Sequence, residues 1–383
     1  MKAYTGISTR ADGEVAVREA TASVPPGLRP DVVFAFASTR QDPDVVARAL
    51  AARFPGSLIT GCTTAGEIVD GRHANGSVVV AALDSPEVRW SLQPVRGLLT
   101  FDEASARETA EALFSALGIK ADDADPARHF CLGFIDGLSM KEERVASLMA
   151  DALAGLPLLG GSSGDDLAFK ETRVFFNGEA LRDGAVFALG EARTPFEIVK
   201  HQHFTTTPRS VVITRADVAA RRVYEIDGYT ALEAYARALG LTPAQVTGEV
   251  TFMHPVTFVC NGEIYVRSIQ RVEPDGSLVF YCGVEEGMVL SLGGHEDMRG
   301  ALARDLSALT LRRGIPEVFV ACNCILRALE ATRGEHHDEI GAVLLRNAHH
   351  VIGFDTYGEQ LHGLHINQTL VGLALYSEER ATT

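Results

Sequence analysis

Residues 61–83 (GCTTAGEIVDGRHANGSVVVAAL) and 353–375 (GFDTYGEQLHGLHINQTLVGLAL) align without a gap at 10 of 23 positions. Identity of that density between two distant stretches means that one structural unit occurs twice, and repetition constrains the fold before any composition does. The shared positions include Gly61 and Gly353, Thr64 and Thr356, Gly66 and Gly358, Glu67 and Glu359, His73 and His365, and Asn75 and Asn367. A third, shorter copy lies between them. Residues 158–165 (LLGGSSGD) resemble 58–67, and the copy ends in the apolar run 185–189 but lacks the His and Asn.

Each copy has the same preface. The apolar runs 31–37 (DVVFAFA), 129–135 (HFCLGFI) and 317–322 (EVFVAC) read as buried strands. A helical pattern follows each, over 42–54, 141–153 and 324–345. In the first, Val45, Val46, Ala49, Leu50 and Phe54 recur at helical spacing after an Asp42-Pro43 start. A short apolar strand, a Gly-rich turn and a last strand complete the unit. The expected fold class is therefore α/β, with repeated strand–helix–strand–strand units forming two modules with mixed sheets. Between the second and third copies, residues 200–209 (KHQHFTTTPR) read as a polar connection, 211–214 and 222–226 as short strands, and 229–239 as a helix ended by Gly240. Residues 257–260, Asn261-Gly262 and 263–269 give a hairpin signal, and 378–383 read as a frayed end. The boundary falls near 205–222, giving modules over 25–215 and 222–377.

Charge narrows the function classes. With 35 Lys+Arg against 50 Asp+Glu, the formal charge is −15, which argues against non-specific nucleic-acid binding and against docking on anionic lipid. The longest apolar stretches fall far short of the roughly 20 residues a bilayer span needs, and the first residues carry no secretory pattern. Six cysteines (62, 131, 260, 282, 322 and 324) sit mostly in strand-like stretches, which suits buried reduced thiols in a cytoplasmic protein.

Several residue groups are candidates for chemistry. The Thr-x-Gly-Glu turns, Thr64 to Glu67 and Thr356 to Glu359, offer hydroxyls and backbone N–H groups that suit an anion, or equally their own backbone. His73 with Asn75, and His365 with Asn367, sit at strand spacing. His73 suits a cap-and-turn role at the surface, while His365 is balanced between that and a ligand contact. Cys324 and Arg327 lie at a strand-to-helix junction, a place where α/β proteins line ligand crevices, and Arg327 suits a carboxylate clamp. Arg267 in the hairpin is a second candidate cation. No GxSxG, P-loop, GxGxxG or HExxH is present, and no zinc site is assigned to the His336-His337 or His349-His350 doublets. The chain is accordingly expected not to be an enzyme.

The stretches VVFAFAS (32–38), LITGCTTAGEI (58–68) and LLGGSSGDD (158–166) resemble the N module of the FIST family. EIDGYTALEAYARALG (225–240), EIYVRSIQ (263–270), CILR (324–327), VIGFDTYGEQ (351–360) and HINQT (365–369) resemble its C module. The resemblance spans about residues 30–377. It implies a small-ligand sensor in bacterial signal transduction, and, by analogy with stand-alone members, a haem-binding nitric-oxide sensor that regulates a histidine kinase. Axial candidates for a haem are His201, His203, His254, His362 and His365, with His203 first because it precedes Phe204 in the connection. The alternative is an amino-acid or carboxylate sensor clamped by Arg327 or Arg267. An enzyme using Ser162, Ser163 or Cys324 ranks last.

Overall fold

The computed structural model describes residues 1–260 and 262–378. Contacts divide the chain into two compact units: residues 1–201, 302–364 and the end from 370, and residues 202–301 with 365–369. The expected modules, 25–215 and 222–377, are units of sequence and are drawn on a different criterion. Among the described residues, no helix is long and apolar enough to cross a membrane. The fold is mixed α/β with mixed sheets.

The first unit contains the three copies, apart from residues 365–369 of the third, which belong to the second unit. In each, a first strand (Val32–Ala37, His129–Ile135 or Val318–Cys324) pairs in parallel with a second (Leu58–Thr63, Leu158–Ser162 or His350–Thr356). It pairs antiparallel, on its other edge, with the copy's returning strand (Val78–Asp84, Gly184–Ala192 or Leu370–Leu375). These strands are covered on both faces, which is why they are apolar runs and not alternating ones. The first crossover helix, Pro43–Arg53, begins where expected: the Asp42 carboxylate accepts from the amides of Asp44 and Val45, and Pro43 occupies the first helical position.

The repeat is longer than its sequence identity suggests. An outer strand and a helix precede each copy: Lys2–Ser8 with Gly13–Ala20, Val88–Arg96 with Glu103–Leu117, and Phe196–His201 with Met298–Arg313. The outer strands pair with the returning strands. In the third copy, residues 202–297 are inserted between the outer strand and its helix.

The copies exchange strands in a ring. The hairpin of the first copy adds Glu67–Val69 to the third copy's His350–Thr356. The third copy adds Glu359–Leu361 to the second copy's Leu158–Ser162, and the second adds Val174–Phe176 to the first copy's Leu58–Thr63. Each sheet is thus completed by its neighbour, and no copy's sheet is whole alone.

Two sequence features of the repeat have structural causes. At Gly61, with φ of 142°, and at its equivalents Gly160 and Gly353, a Cβ would strike the carbonyl oxygen of the paired first-strand residue (Ala35, Gly133 or Ala321). The glycine is therefore needed by strand geometry in every copy. The ring centre is filled by one aromatic side chain from each copy. Phe36 stacks on Phe354 at 4.5 Å, Phe134 lies 5.6 Å from Phe36, and Phe134 lies 6.0 Å from Phe354, all three being fully buried. By register, Phe36 and Phe134 occupy the first strand and Phe354 the second, its first-strand partner being Cys322. The aromatic volume has changed strands while the centre stays filled.

The second unit is built on an eight-stranded sheet with the helix Ala231–Leu239, ended by Gly240 in the left-handed region as expected. Its core includes Ile213, Val223, Tyr235, Leu278 and Phe280. The stretch 200–209, expected as a connection, instead belongs to the strands Phe196–His201 and Phe204–Asp217, with only Gln202 and His203 between them. Pro208 falls in a register irregularity between Thr206 and Ser210, where no ladder hydrogen bond is asked of it. The helix expected over 324–345 is two, Ile325–Arg333 and His337–Asn347, parted at Gly334 and Glu335. The hairpin is present as Val256–Cys260 and Glu263–Arg267, but Asn261 of its turn lies outside the described residues, as do 379–383 of the expected frayed end. Of the six cysteines, five are buried, Cys260 is half-buried, and none is in a disulfide.

If the three rings hold the assembly, Phe354→Ala should destabilise the protein by about 3–5 kcal/mol, the usual cost of emptying a buried Phe site. Urea denaturation followed by circular dichroism reads this directly. A loss below about 1 kcal/mol would show that the centre does not depend on the ring.

Candidate functional site

The end of each second strand meets a turn from the neighbouring copy, forming three equivalent junctions. Asp355 accepts from the Ala65 amide at 3.0 Å and donates to Gly66 O at 2.8 Å. Ser162 makes the same pair of bonds with Tyr357 and Gly358, at 3.1 and 2.8 Å, and Thr63 accepts from Gly164 at 2.9 Å. The bond accepted by the carbonyl is thus shared by all three, whereas the Thr63 amide donates to Arg173 O at 2.9 Å and not to the turn, and the side chain at the equivalent position is Thr63, Ser162 or Asp355. Only the third junction places a carboxylate there.

That carboxylate anchors a network. Asp355 is fully buried, with Oδ2 2.5 Å from His73 Nε2 on the first copy's hairpin and Oδ1 2.8 Å from the donating Nδ2 of Asn323. Asn323 is its register partner on the first strand, and Asn323 Oδ1 accepts from Arg327 Nε at 3.1 Å. Arg327 is also buried, one helical turn beyond Asn323 in the helix Ile325–Arg333. On its other side, His73 stacks on His337, ring centres 3.8 Å apart and planes 18° from parallel. His337, the first residue of His337–Asn347, has Nε2 2.8 Å from Thr332 Oγ1. Gly66 makes this packing possible: with φ of 156°, a Cβ there would meet Asp355 Oδ2 and lie 3.1 Å from His73 Nε2 and 3.2 Å from Asn75 Oδ1.

The two stacked imidazoles are driven apart electrostatically. Burial opposes charge on His73, but the Asp355 charge and hydrogen bond, with help from Glu67, outweigh it and raise His73 above the usual imidazole value. Burial and the neighbouring His73 charge push His337 below it. The pair thus favours one cation and one neutral ring. Burial lowers Arg327 to about 10, so it remains a cation at neutral pH, in the field of Glu330, Glu359 and Asp355. Burial also raises Glu67 to about 7, against hydrogen bonds from Ser77 and Thr64, which makes it a carboxyl that titrates near neutrality.

The sequence candidates divide among three settings. Thr64 Oγ1 donates to Glu67 Oε1 at 2.5 Å, Glu67 Oε2 also accepts from the Ser77 amide and hydroxyl, and Thr356 donates to Glu359. Both turns therefore engage their own hydroxyls, and the first lies against the third junction. Arg327 belongs to the network, with Cys324 buried at the start of its helix. Arg267, His365 and Asn367 lie in the second unit: Arg267 Nη1 donates to His365 O at 2.9 Å and the guanidinium covers the Phe258 ring at 4.5 Å. Burial, with Arg221 and Arg267 nearby, holds His365 well below the imidazole value, hence neutral. His203 is buried there too, its ring 4.4 Å from Phe204 and 5.1 Å from His295. Ser162 accepts from Gln360 Nε2 at 2.8 Å, and Ser163 Oγ donates to Ile135 O at 3.3 Å.

Sequence reasoning gave His73 a surface role and passed over Asp355, Asn323 and His337. A signal for Asp355 exists: it is a mismatch between copies, GCTT against GFDT, and the mismatch marks the junction that differs chemically.

The folded-state His73 value is raised, so its pairing with Asp355 contributes stability in full below the unfolded value near 6.5 and loses it as pH rises through the folded value. Asp355→Asn should remove that contribution and lower the His73 titration midpoint, as read by proton NMR. An unchanged midpoint in the variant would refute the pairing.

The FIST N domain family matches residues 31–229 and the FIST C domain family residues 231–362. An uncharacterised protein of Methanocaldococcus jannaschii is 25% identical over 177 residues, covering 42% of this chain and 34% of that protein. FIST domains are small-ligand sensors of signal transduction. With both of its domain families matched in order along most of its length, the chain belongs to the FIST family.

Proposed function

We propose that this chain senses a small polar ligand bearing amino and carboxylate groups, such as an amino acid, at the third junction. The observation that carries this reading is the asymmetry of the ring: at all three junctions the second strand's end accepts a backbone hydrogen bond from the neighbouring turn, and one alone joins Asp355, His73, Asn323 and Arg327. Burying charges costs stability unless they are paired, and an assembly with no use for them is served as well by Thr63 or Ser162. A ligand carboxylate would compete with Asp355 for His73, and a ligand ammonium would compete with His73 for Asp355. Either exchange releases the hairpin that holds His73, and so gives two conformations of unequal ligand affinity, which is what a sensor requires. The state of the site would then pass by protein contact to a signalling partner, for which a histidine kinase is the proposed class. No catalytic step is assigned.

The test is thermal unfolding across a panel of amino acids. Ligand at a hundred times its dissociation constant stabilises by about 2.7 kcal/mol, a readable shift. Stabilisation by one class, lost in His73→Gln and Asp355→Asn, is expected. A panel without effect, or an effect untouched by both substitutions, defeats the reading.

A haem-based nitric-oxide sensor is the second reading. What favours it is His203, a buried imidazole against the Phe204 ring, since a haem asks for an axial ligand in apolar surroundings. His203 would be that ligand. Protein prepared with haem supplied should then show an intense visible band that His203→Ala abolishes; a colourless preparation rules this reading out.

A further inference from the structure

The second unit brings two histidines together at the start of one strand and the end of its neighbour. Phe204 opens the strand Phe204–Asp217 and stands in register with His295, the last residue of Val289–His295. The Glu296 amide donates to His203 O at 2.8 Å, which carries the pairing one residue past both strands. His203 precedes its strand, so the alternation of faces does not hold its ring away from Phe204. That ring lies 4.4 Å from Phe204 and 5.1 Å from His295, the two imidazoles being nearly perpendicular at 88°. Phe204 is buried and its ring is 5.5 Å from His295 as well, so one aromatic side chain backs both imidazoles.

This placement suits a chelate. His203 and His295 each present a ring nitrogen within 4.8 Å of the other. Two nitrogens bound to one tetrahedral zinc stand about 3.3 Å apart. His203 is buried and held, while His295 is exposed and can close the difference by turning about its side-chain bonds. A ligating imidazole gives one nitrogen to the metal and uses the other in a hydrogen bond, so partners elsewhere on these rings are compatible with the role. The surrounding charge also favours a cation. Glu296 and Asp297 follow His295 and are exposed, and Arg299, 3.0 Å from Asp297, offsets only part of their charge. Imidazole donors select Zn²⁺, Cu²⁺ or Ni²⁺ over Mg²⁺ and Ca²⁺, which ask for oxygen ligands.

We infer that His203 and His295 together bind a divalent transition-metal ion such as Zn²⁺, the remaining positions being left to water or further donors. The ion ties the start of one strand to the end of its neighbour. This site is independent of the amino-acid reading at the third junction, and it gives His203 to a bare ion where the second reading gives it to a haem.

The experiment is calorimetric titration of the full chain, freed of metal by chelator and dialysis, with Zn²⁺ and, as the control, Mg²⁺. Saturable Zn²⁺ binding is expected, weaker by at least about tenfold in His295→Ala, since the loss of an outer-shell partner alone costs that much. The exposed position of His295 keeps that variant folded. His203→Gln should weaken binding as strongly; circular dichroism checks its fold, and if it does not fold, His295→Ala decides. Cu²⁺ bound in place of Zn²⁺ should show nitrogen hyperfine coupling in its paramagnetic resonance spectrum from two imidazoles, and from one fewer in His295→Ala. No saturable binding of Zn²⁺, Mg²⁺ bound as tightly, or Zn²⁺ binding unchanged in His295→Ala overturns the inference. Binding that a folded His203→Gln protein retains in full also overturns it, because the two rings would then not act as a pair.

Discussion

The first unit depends on hairpins that leave their own sheets. The first copy's hairpin lies on the third copy, the third's on the second and the second's on the first. An open sheet edge exposes unpaired amides and carbonyls, and here each edge is covered by the next copy. The arrangement closes only with three members. It also brings three second-strand ends and three turns together, and the central space is set by what one side chain per copy can fill. Phe36, Phe134 and Phe354 fill it, and because two first-strand residues and one second-strand residue do so, the constraint acts on volume at the centre and not on sequence position.

Closure of this kind separates scaffold from site. The backbone bonds at Thr63, Ser162 and Asp355 hold the ring together whatever the side chain, so the side chains are free to diverge. At Asp355 the divergence produced a buried carboxylate, and its environment followed from the need to pair it. His73 arrives from another copy's hairpin, Asn323 from the adjacent strand, and Arg327 from the next helical turn. The stack of His73 on His337 then links the hairpin to a helix start. The linked network of Asp355, His73, Asn323 and Arg327 lies where symmetry is broken.

Much of this was legible in the residues. The glycine at 61, 160 and 353 is there because the first strand's carbonyl leaves no room for a Cβ, so its recurrence reported strand geometry truthfully. The Thr-x-Gly-Glu turns recur for a local reason too, since the threonine hydroxyl reaches the glutamate three residues on. The outer strands 2–8, 88–96 and 196–201 were illegible, because each sits at an edge and carries a different mix of polar and apolar residues. The break between the helices at 325–333 and 337–347 was hidden as well, since helical periodicity continues across it.

The sequence by itself determined that a unit recurs, that its strands are buried on both faces, and which turns need glycine, because each of these is a matter of neighbours along the chain. Only the tertiary structure decided which copy completes which sheet, and therefore that His73 meets Asp355 at a separation of 282 residues. A pairing of that kind is set by where hairpins land after the ring closes. Spacing along the chain carries no record of it, so identity between copies points to the scaffold and difference between them to the site.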